Sequence, residues 1–280
     1  MDWTVLKMLE WGTTYFQSHG IPSPRLSIEW LLAEVLHLKR LDLYLQFDRP
    51  LRQQELDQLR DWVRRRKQHE PLQYITGSTE FYHCTLQVNP DVLIPRPETE
   101  LMVDLLLKRH TEDSLSVLDV GTGSGCIAIA LKKARPNWEL VAVDISEAAL
   151  KTAQQNAKLN QVEIDFRHAD AFALTSDLAG ESFDIIVSNP PYIPPNEIED
   201  IDQEVKAYEP HLALFHSDPE SLYQAMIDFA VLCGAREGYF EIHFDAAEHL
   251  RQVIQLPRGS LNFEYDLAGK KRFLIFSRNP

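Results

Sequence analysis

Cysteine is scarce in this chain. Its 280 residues hold three, Cys84, Cys126 and Cys233, and no Cys-x-x-Cys pair. An odd, scattered set excludes a disulfide framework and suits a reducing compartment. No apolar run approaches the roughly 20 residues of a membrane-spanning helix. The amphipathic opening "MDWTVLKMLEWG" lacks the uniform apolar core of a signal peptide. A cytoplasmic chain with no membrane partner is therefore expected. His and Cys show no metal-ligand spacing, so no metal is expected either. Excess positive charge is also missing. The formal net charge is −14, unevenly placed: residues 1–90 carry 11 basic and 11 acidic side chains, which leaves 17 against 31 in residues 91–280. An acidic major part repels a phosphate backbone, which argues against DNA as partner. No Ser–His–Asp or Cys–His pattern suggests covalent catalysis.

What is present is ample apolar material: 44% of residues are hydrophobic, enough for one large domain and a smaller one. Residues 1–70 read as helical. In "SPRLSIEWLLAEVLHLKR", Ser23 is a candidate N-cap and Pro24 takes the first helical position. Ile28, Leu31, Leu32, Val35 and Leu36 then form one apolar face. A later helix carries Leu56, Leu59 and Val63 and ends in Arg64–Lys67. Those cations suit the helix dipole as a solvated end, or offer a basic contact. Residues 71–95, with "LQYITGSTEFYHCTLQVN", read as a β-hairpin linker. From residue 96 a third segment opens, where Pro97 starts a helix. Short apolar strands then alternate with helices: "SVLDVG", "ELVAVD", "EIDFRH", "FDIIVS". That texture predicts an α/β fold with a mostly parallel sheet. The final strands "LNFEYDL" and "KRFLIFS", joined by "AGKK", should pair antiparallel.

The first of these strands runs into a glycine loop, Asp119, Gly121, Thr122, Gly123, Ser124, Gly125. Its D-x-G-x-G-x-G spacing departs from the dinucleotide fingerprint, because Cys126 stands where the third glycine belongs, and no P-loop lysine follows. Glycines still let a ligand approach bare backbone beside a helix N-terminus. Asp144 ends the next strand, 25 residues beyond Asp119, where a carboxylate can accept from ribose hydroxyls. Asp170 ends the third, within reach of an adenine amine. A nucleoside carrying an amino acid but no phosphate fits the set, and S-adenosylmethionine is such a molecule. Cys126 reads as a small packing residue.

The fourth strand stops in "SNPPYI". Two prolines fix φ, hold the preceding residues extended and present carbonyls with no N–H beside them. The side-chain carbonyl of Asn189 and the backbone carbonyl of Pro190 make two rigid acceptors for the two hydrogens of a planar –NH2 group. Pro191 stiffens the corner, and Tyr192 is expected to stack on that plane.

Seven stretches carry a family resemblance: "PLQYITG", "VLIPRPETE", "LDVGTGSGCIAIAL", "VAVDISEAALKTAQQNA", "FDIIVSNPPYI", "YEPHLAL" and "DLAGKKRFLIF". From Pro71 onward the chain resembles the HemK/PrmC family, S-adenosylmethionine-dependent N5-glutamine methyltransferases of peptide chain release factors. The resemblance implies a Rossmann-like class I methyltransferase domain over 96–280 behind a helical bundle over 1–70; that bundle is expected to recognise the substrate, and a monomer is expected. The implied substrate is the glutamine of the release factor GGQ motif. The resemblance places residues 121–125 and Asp144 at the cofactor and Asn189 at the junction of cofactor and substrate. Asn189, Pro190, Pro191 and Tyr192 would hold the glutamine, with Arg96, Pro97 and Glu98 near the pocket mouth. The chain departs from the family at Ala171, where some members carry an aromatic that Phe172 could replace. It departs again at His243, which reads as structural, and in "LFHSDPES". A ribosomal-protein glutamine or an exocyclic nucleic-acid amine offers the same donors, so both remain alternative substrates.

Overall fold

A computed structural model describes residues 3–256 and 259–278. The chain forms two compact units: one reaches Gly77 and includes Asp202–Tyr208, and the other holds Ser78–Ile201 and everything from Glu209 onward.

The first unit is helical, with Val5–Ser18, Pro24–Leu36, Gln53–Lys67 and two short helices, Leu72–Thr76 and Gln203–Tyr208. Ile28, Leu31, Leu32 and Leu36 are buried as their spacing predicts, and Val35 packs at the edge. Leu59 and Val63 are buried too, with Leu56 against them. Three local expectations change. Ser23 precedes the helix but is left-handed (φ 48°) and makes no side-chain cap; its backbone carbonyl instead accepts from Ser27 N–H. Leu72–Thr76 is a helical turn, not the start of the hairpin. Leu72 and Ile75, three apart, both enter the helical core, so burial overrides strand preference. Finally, the basic run is only partly solvated. Arg66 is buried and donates to Ser27 Oγ, Glu70 O and Glu204 Oε1, the last at 2.6 Å. Arg65 pairs with Glu70.

In the second unit, β1 (Ser78–Phe81) and β2 (Cys84–Gln87) form the hairpin. The main sheet follows: β3 (Ser116–Val120), β4 (Glu139–Asp144), β5 (Asp165–His168), β6 (Ile185–Ser188), β7 (Glu237–Glu241), β8 (Ser260–Tyr265) and β9 (Lys271–Ser277). Their order is β5-β4-β3-β6-β7-β9-β8. The first five are parallel; β9 runs antiparallel to β8, as expected, and also to β7. Side chains alternate between two cores. Val117, Ile185, Val187 and Ile275 face the helices Pro97–Arg109 and Cys126–Ala134. Leu118, Ile186, Leu274 and Phe276 face Pro219–Cys233 and Ala247–Val253. Burial on both faces explains why these strands read as continuous apolar runs. Chain order reverses between β3 and β6, and the carboxyl ends beside such a switch point form a crevice.

Candidate active site

The registers set the site's floor. Val120 lies opposite Val143 and Ser188, and Ser188 lies opposite Phe240. One step on, Gly121, Asp144, Asn189 and Glu241 stand near one level. A cavity of about 330 Å³ opens there. Its lining includes residues 121–124, 144–146, 169–172 and 188–191, together with 91–93, 95–96, 210, 212–213 and 215–216. That volume lies within the range of small-molecule sites.

The glycine loop turns sharply because Gly121 and Thr122 N–H both donate to Val143 O at 2.9 Å. Gly121 and Gly123 have φ of 71° and 56°, and a Cβ on either would meet no protein atom within 4 Å. Both line the cavity, so bare backbone faces ligand space. Gly125 serves packing: its Cβ would stand 3.1 Å from Ala153 Cβ, and it does not line the cavity. Asn156, absent from the sequence reading, ties the loop down. It donates to Ser124 O and Gln87 O, both at 2.9 Å, and accepts from Gln87 N–H at 2.7 Å.

Of the acids, Asp144 lines the cavity and accepts from Gly123 N–H at 2.8 Å and Ser146 N–H at 2.9 Å. Burial pushes its carboxyl up, against those two donors. Asp170 lines it as well and accepts from Phe172 N–H at 2.9 Å. Asp119 does not; it is fully buried beneath the loop and accepts from Thr122 Oγ1 at 2.6 Å. Burial raises its pKa to about 7. Ala171 and Phe172 both line the cavity. The Phe172 ring is 53% exposed and stacks on His216, 5.8 Å between centroids, an aromatic partner the sequence reading missed. Burial pushes the Cys126 thiol up to about 12, which suits packing rather than a reactive thiolate.

At the end of β6, Asn189, Pro190 and Pro191 line the cavity, and Tyr192 does not. Its hydroxyl instead donates to Glu241 Oε1 at 3.1 Å, and its ring lies 6.3 Å from that of His243. Asn189 Nδ2 donates to Thr99 Oγ1 at 3.1 Å, and Thr99 Oγ1 donates to Glu241 Oε2 at 2.7 Å. Thr99 and Glu241 are each 1% exposed. Neither was legible as a site residue, although a lone acid at the end of an apolar strand was a usable signal. Arg96 lines the cavity and pairs with buried Glu209 at 2.5 Å; Glu98, in the first turn of the helix that Arg96 precedes, does not line it. His243 is paired with Asp245. In "LFHSDPES", Asp218 caps the helix Pro219–Cys233 through Ser221 N–H at 3.1 Å.

Comparison with known proteins joins these parts. The profile of the PrmC N-terminal domain matches residues 7–77, and that of the methyltransferase small domain matches 97–206. The release factor glutamine methyltransferase of Chlorobaculum tepidum is 41% identical over 263 residues, 90% of each chain. That of Leptospira interrogans is 38% identical over 286 residues, 98% of each. Among solved structures, the hMettl16 catalytic domain in complex with MAT2A 3'UTR hairpin 1 superposes with a TM-score of 0.54 at 13% identity, covering 81% of each chain, a likeness of fold alone. Identity this high across nearly the whole length, in both units, shows that the chain belongs to the release factor glutamine methyltransferase family.

Proposed function

We propose that this protein transfers a methyl group from S-adenosylmethionine to the side-chain amide nitrogen of the glutamine in the GGQ motif of peptide chain release factors. One observation carries the reading. Asn189, its amide edge held by Thr99, lines the same cavity as the bare backbone of Gly121 and Gly123.

The residues present fit the cofactor. Gly121, Thr122, Gly123 and Ser124 would take the amino-acid end, Asp144 the ribose hydroxyls, Asp170 the adenine amine, and Phe172 with His216 the purine face. Asp119 would shape the loop from beneath rather than touch a ligand. Bound there, S-adenosylmethionine supplies an electrophilic methyl group. The protein's own task is to aim an unreactive nitrogen. An amide lone pair is delocalised, so holding both of its hydrogens, on Asn189 Oδ1 and the Pro190 carbonyl, orients that lone pair and excludes other poses. The same two acceptors favour the positive charge that grows on nitrogen. The proton leaves afterwards, and no strong base is needed. Pro191 keeps the corner rigid, Tyr192 buttresses it from behind, and Arg96 with Glu98 flanks the entrance.

We read the protein as a cytoplasmic monomer whose partner is the release factor, with neither DNA nor membrane involved. Among the described residues no helix is long and apolar enough to cross a membrane. The first unit selects the protein partner. Removing residues 1–70 should therefore raise KM for a whole release factor more than for a short GGQ peptide; equal effects on both refute that role. The decisive test incubates the protein with methyl-labelled S-adenosylmethionine and a full-length bacterial release factor and locates the label by mass spectrometry. Label on the GGQ glutamine is expected. Label that appears instead on a ribosomal protein or on RNA, when cell extract is supplied, overturns the substrate.

A further inference from the structure

Every proton in the chain of groups behind Asn189 has one place to go. The Glu241 carboxylate only accepts, so Thr99 gives its single hydroxyl proton to Oε2 and Tyr192 gives its own to Oε1. Thr99 Oγ1 then has lone pairs alone to offer Asn189. Asn189 must turn Nδ2 toward it, 3.1 Å away, which leaves Oδ1 on the opposite edge of the amide. With the two edges exchanged, Oδ1 would meet the lone pairs of Thr99 Oγ1, acceptor against acceptor, and an –NH2 donor would face the substrate's own –NH2.

We propose that Glu241 is a positioning residue for methyl transfer: acting through Thr99, its carboxylate dictates which edge of Asn189 faces the substrate nitrogen. The inference rests on the reading of Asn189 as an acceptor for the glutamine amide. Its placement argues for a role beyond packing. Glu241 ends β7 one step past Phe240, the neighbour of Ser188, so the sheet register itself sets it beside Asn189. It is 1% exposed, and among the described residues no cation lies within ion-pair distance of it. A carboxylate buried against two neutral hydroxyls is a costly way to fill space. Burial pushes its pKa up to about 6, which still leaves it ionised at neutral pH. Arg272 on β9 and Glu98 on the helix after Arg96 are the charged groups that face it, and Tyr223 donates to its backbone carbonyl at 2.8 Å.

Three variants of the full chain test this, assayed with S-adenosylmethionine and a full-length bacterial release factor. Glu241→Met keeps the volume and removes the acceptor, so Thr99 can donate to Asn189 Oδ1 and turn it. Thr99→Val breaks the relay, and Thr99→Ser keeps it. The expected result is a kcat lower by about 10- to 100-fold in Glu241→Met and in Thr99→Val, the range of a misdirected site hydrogen bond. KM for both substrates and the dissociation constant of S-adenosylmethionine should stay within about threefold, and Thr99→Ser should recover kcat. The double variant should lose no more than the worse single one, because both act on the same amide. Wild-type kcat in both single variants, a defect in KM instead of kcat, or losses that multiply would overturn the proposal. Asn189→Ala separates the two claims: full activity there removes the acceptor reading, whereas its inactivity beside active relay variants removes Glu241 alone.

Discussion

The two halves of the cavity are built by different means. On the β3–β5 side each acid has a hydrogen-bond partner close by in the chain, and Asp144 adds Gly123 N–H from 21 residues back. Asp144 accepts from Ser146 two residues on, Asp170 from Phe172 two residues on, and Asp119 from Thr122 three residues on. On the β6–β7 side the partners are far apart in sequence. Asn189 is held by Thr99, 90 residues away; Thr99 by Glu241, 142 away; Arg96 by Glu209, 113 away. A nucleoside site can be assembled from strand ends and turns. A corner that must tell one edge of an amide from the other needs side chains brought in from separate elements, each with its proton already assigned.

The comparison can be broken most sharply at Asn189. Asn189→Ala should abolish most methyl transfer, a loss of about 3–4 kcal/mol in the transition state, while S-adenosylmethionine affinity by calorimetry changes little. A matched loss of cofactor affinity would mean that the two halves are not separable. Asp144→Ala should do the converse, weakening S-adenosylmethionine by about 1.5–3 kcal/mol, the worth of hydrogen bonds to a charged group, with kcat at saturation largely kept.

The buried acid on the substrate side also makes activity and stability run in opposite directions with pH. Burial raises the pKa of Glu241 from 4.5 to about 6. A folded-state value above the unfolded one means that the folded state holds the proton more tightly. Its stabilising effect is full below about pH 4.5 and is lost as pH rises through about 6, by about 2 kcal/mol. Chemical denaturation at pH 4.5 and 7 should show that loss in the wild type relative to Glu241→Met, which also cancels the like-signed contribution of Asp119. Methyl transfer moves the other way and should fall below about pH 6 as Glu241 protonates. Asn156→Ala should cost about 1–3 kcal/mol, because it strands the N–H and carbonyl of Gln87 and the Ser124 carbonyl. Thermal unfolding reads this as about 2–4 °C per kcal/mol in a chain this long.

How much was legible follows the same division. Strand–helix alternation, the glycine loop and the acids at the strand ends were readable because each depends on residues within a turn of one another. Leu72–Thr76 departed from expectation because local preference there is weaker than the demand to bury Leu72 and Ile75. Arg66, in a run that reads as a solvated helix end, was drawn inward by Glu204 from a segment 138 residues later.

By itself, then, the order of residues determined the parallel sheet, the ligand-facing loop and the stiff "NPPY" corner, since periodicity, glycine and proline act on the backbone where they stand. Only the tertiary structure decided which way that corner's carboxamide points. It turned Tyr192 away from the cavity toward Glu241, gave Asn189 its partner in Thr99 and set Asp119 beneath the loop. Hydrogen-bond direction is a property of the group across the gap, and the packing of helix Pro97–Arg109 on the sheet determines who that neighbour is.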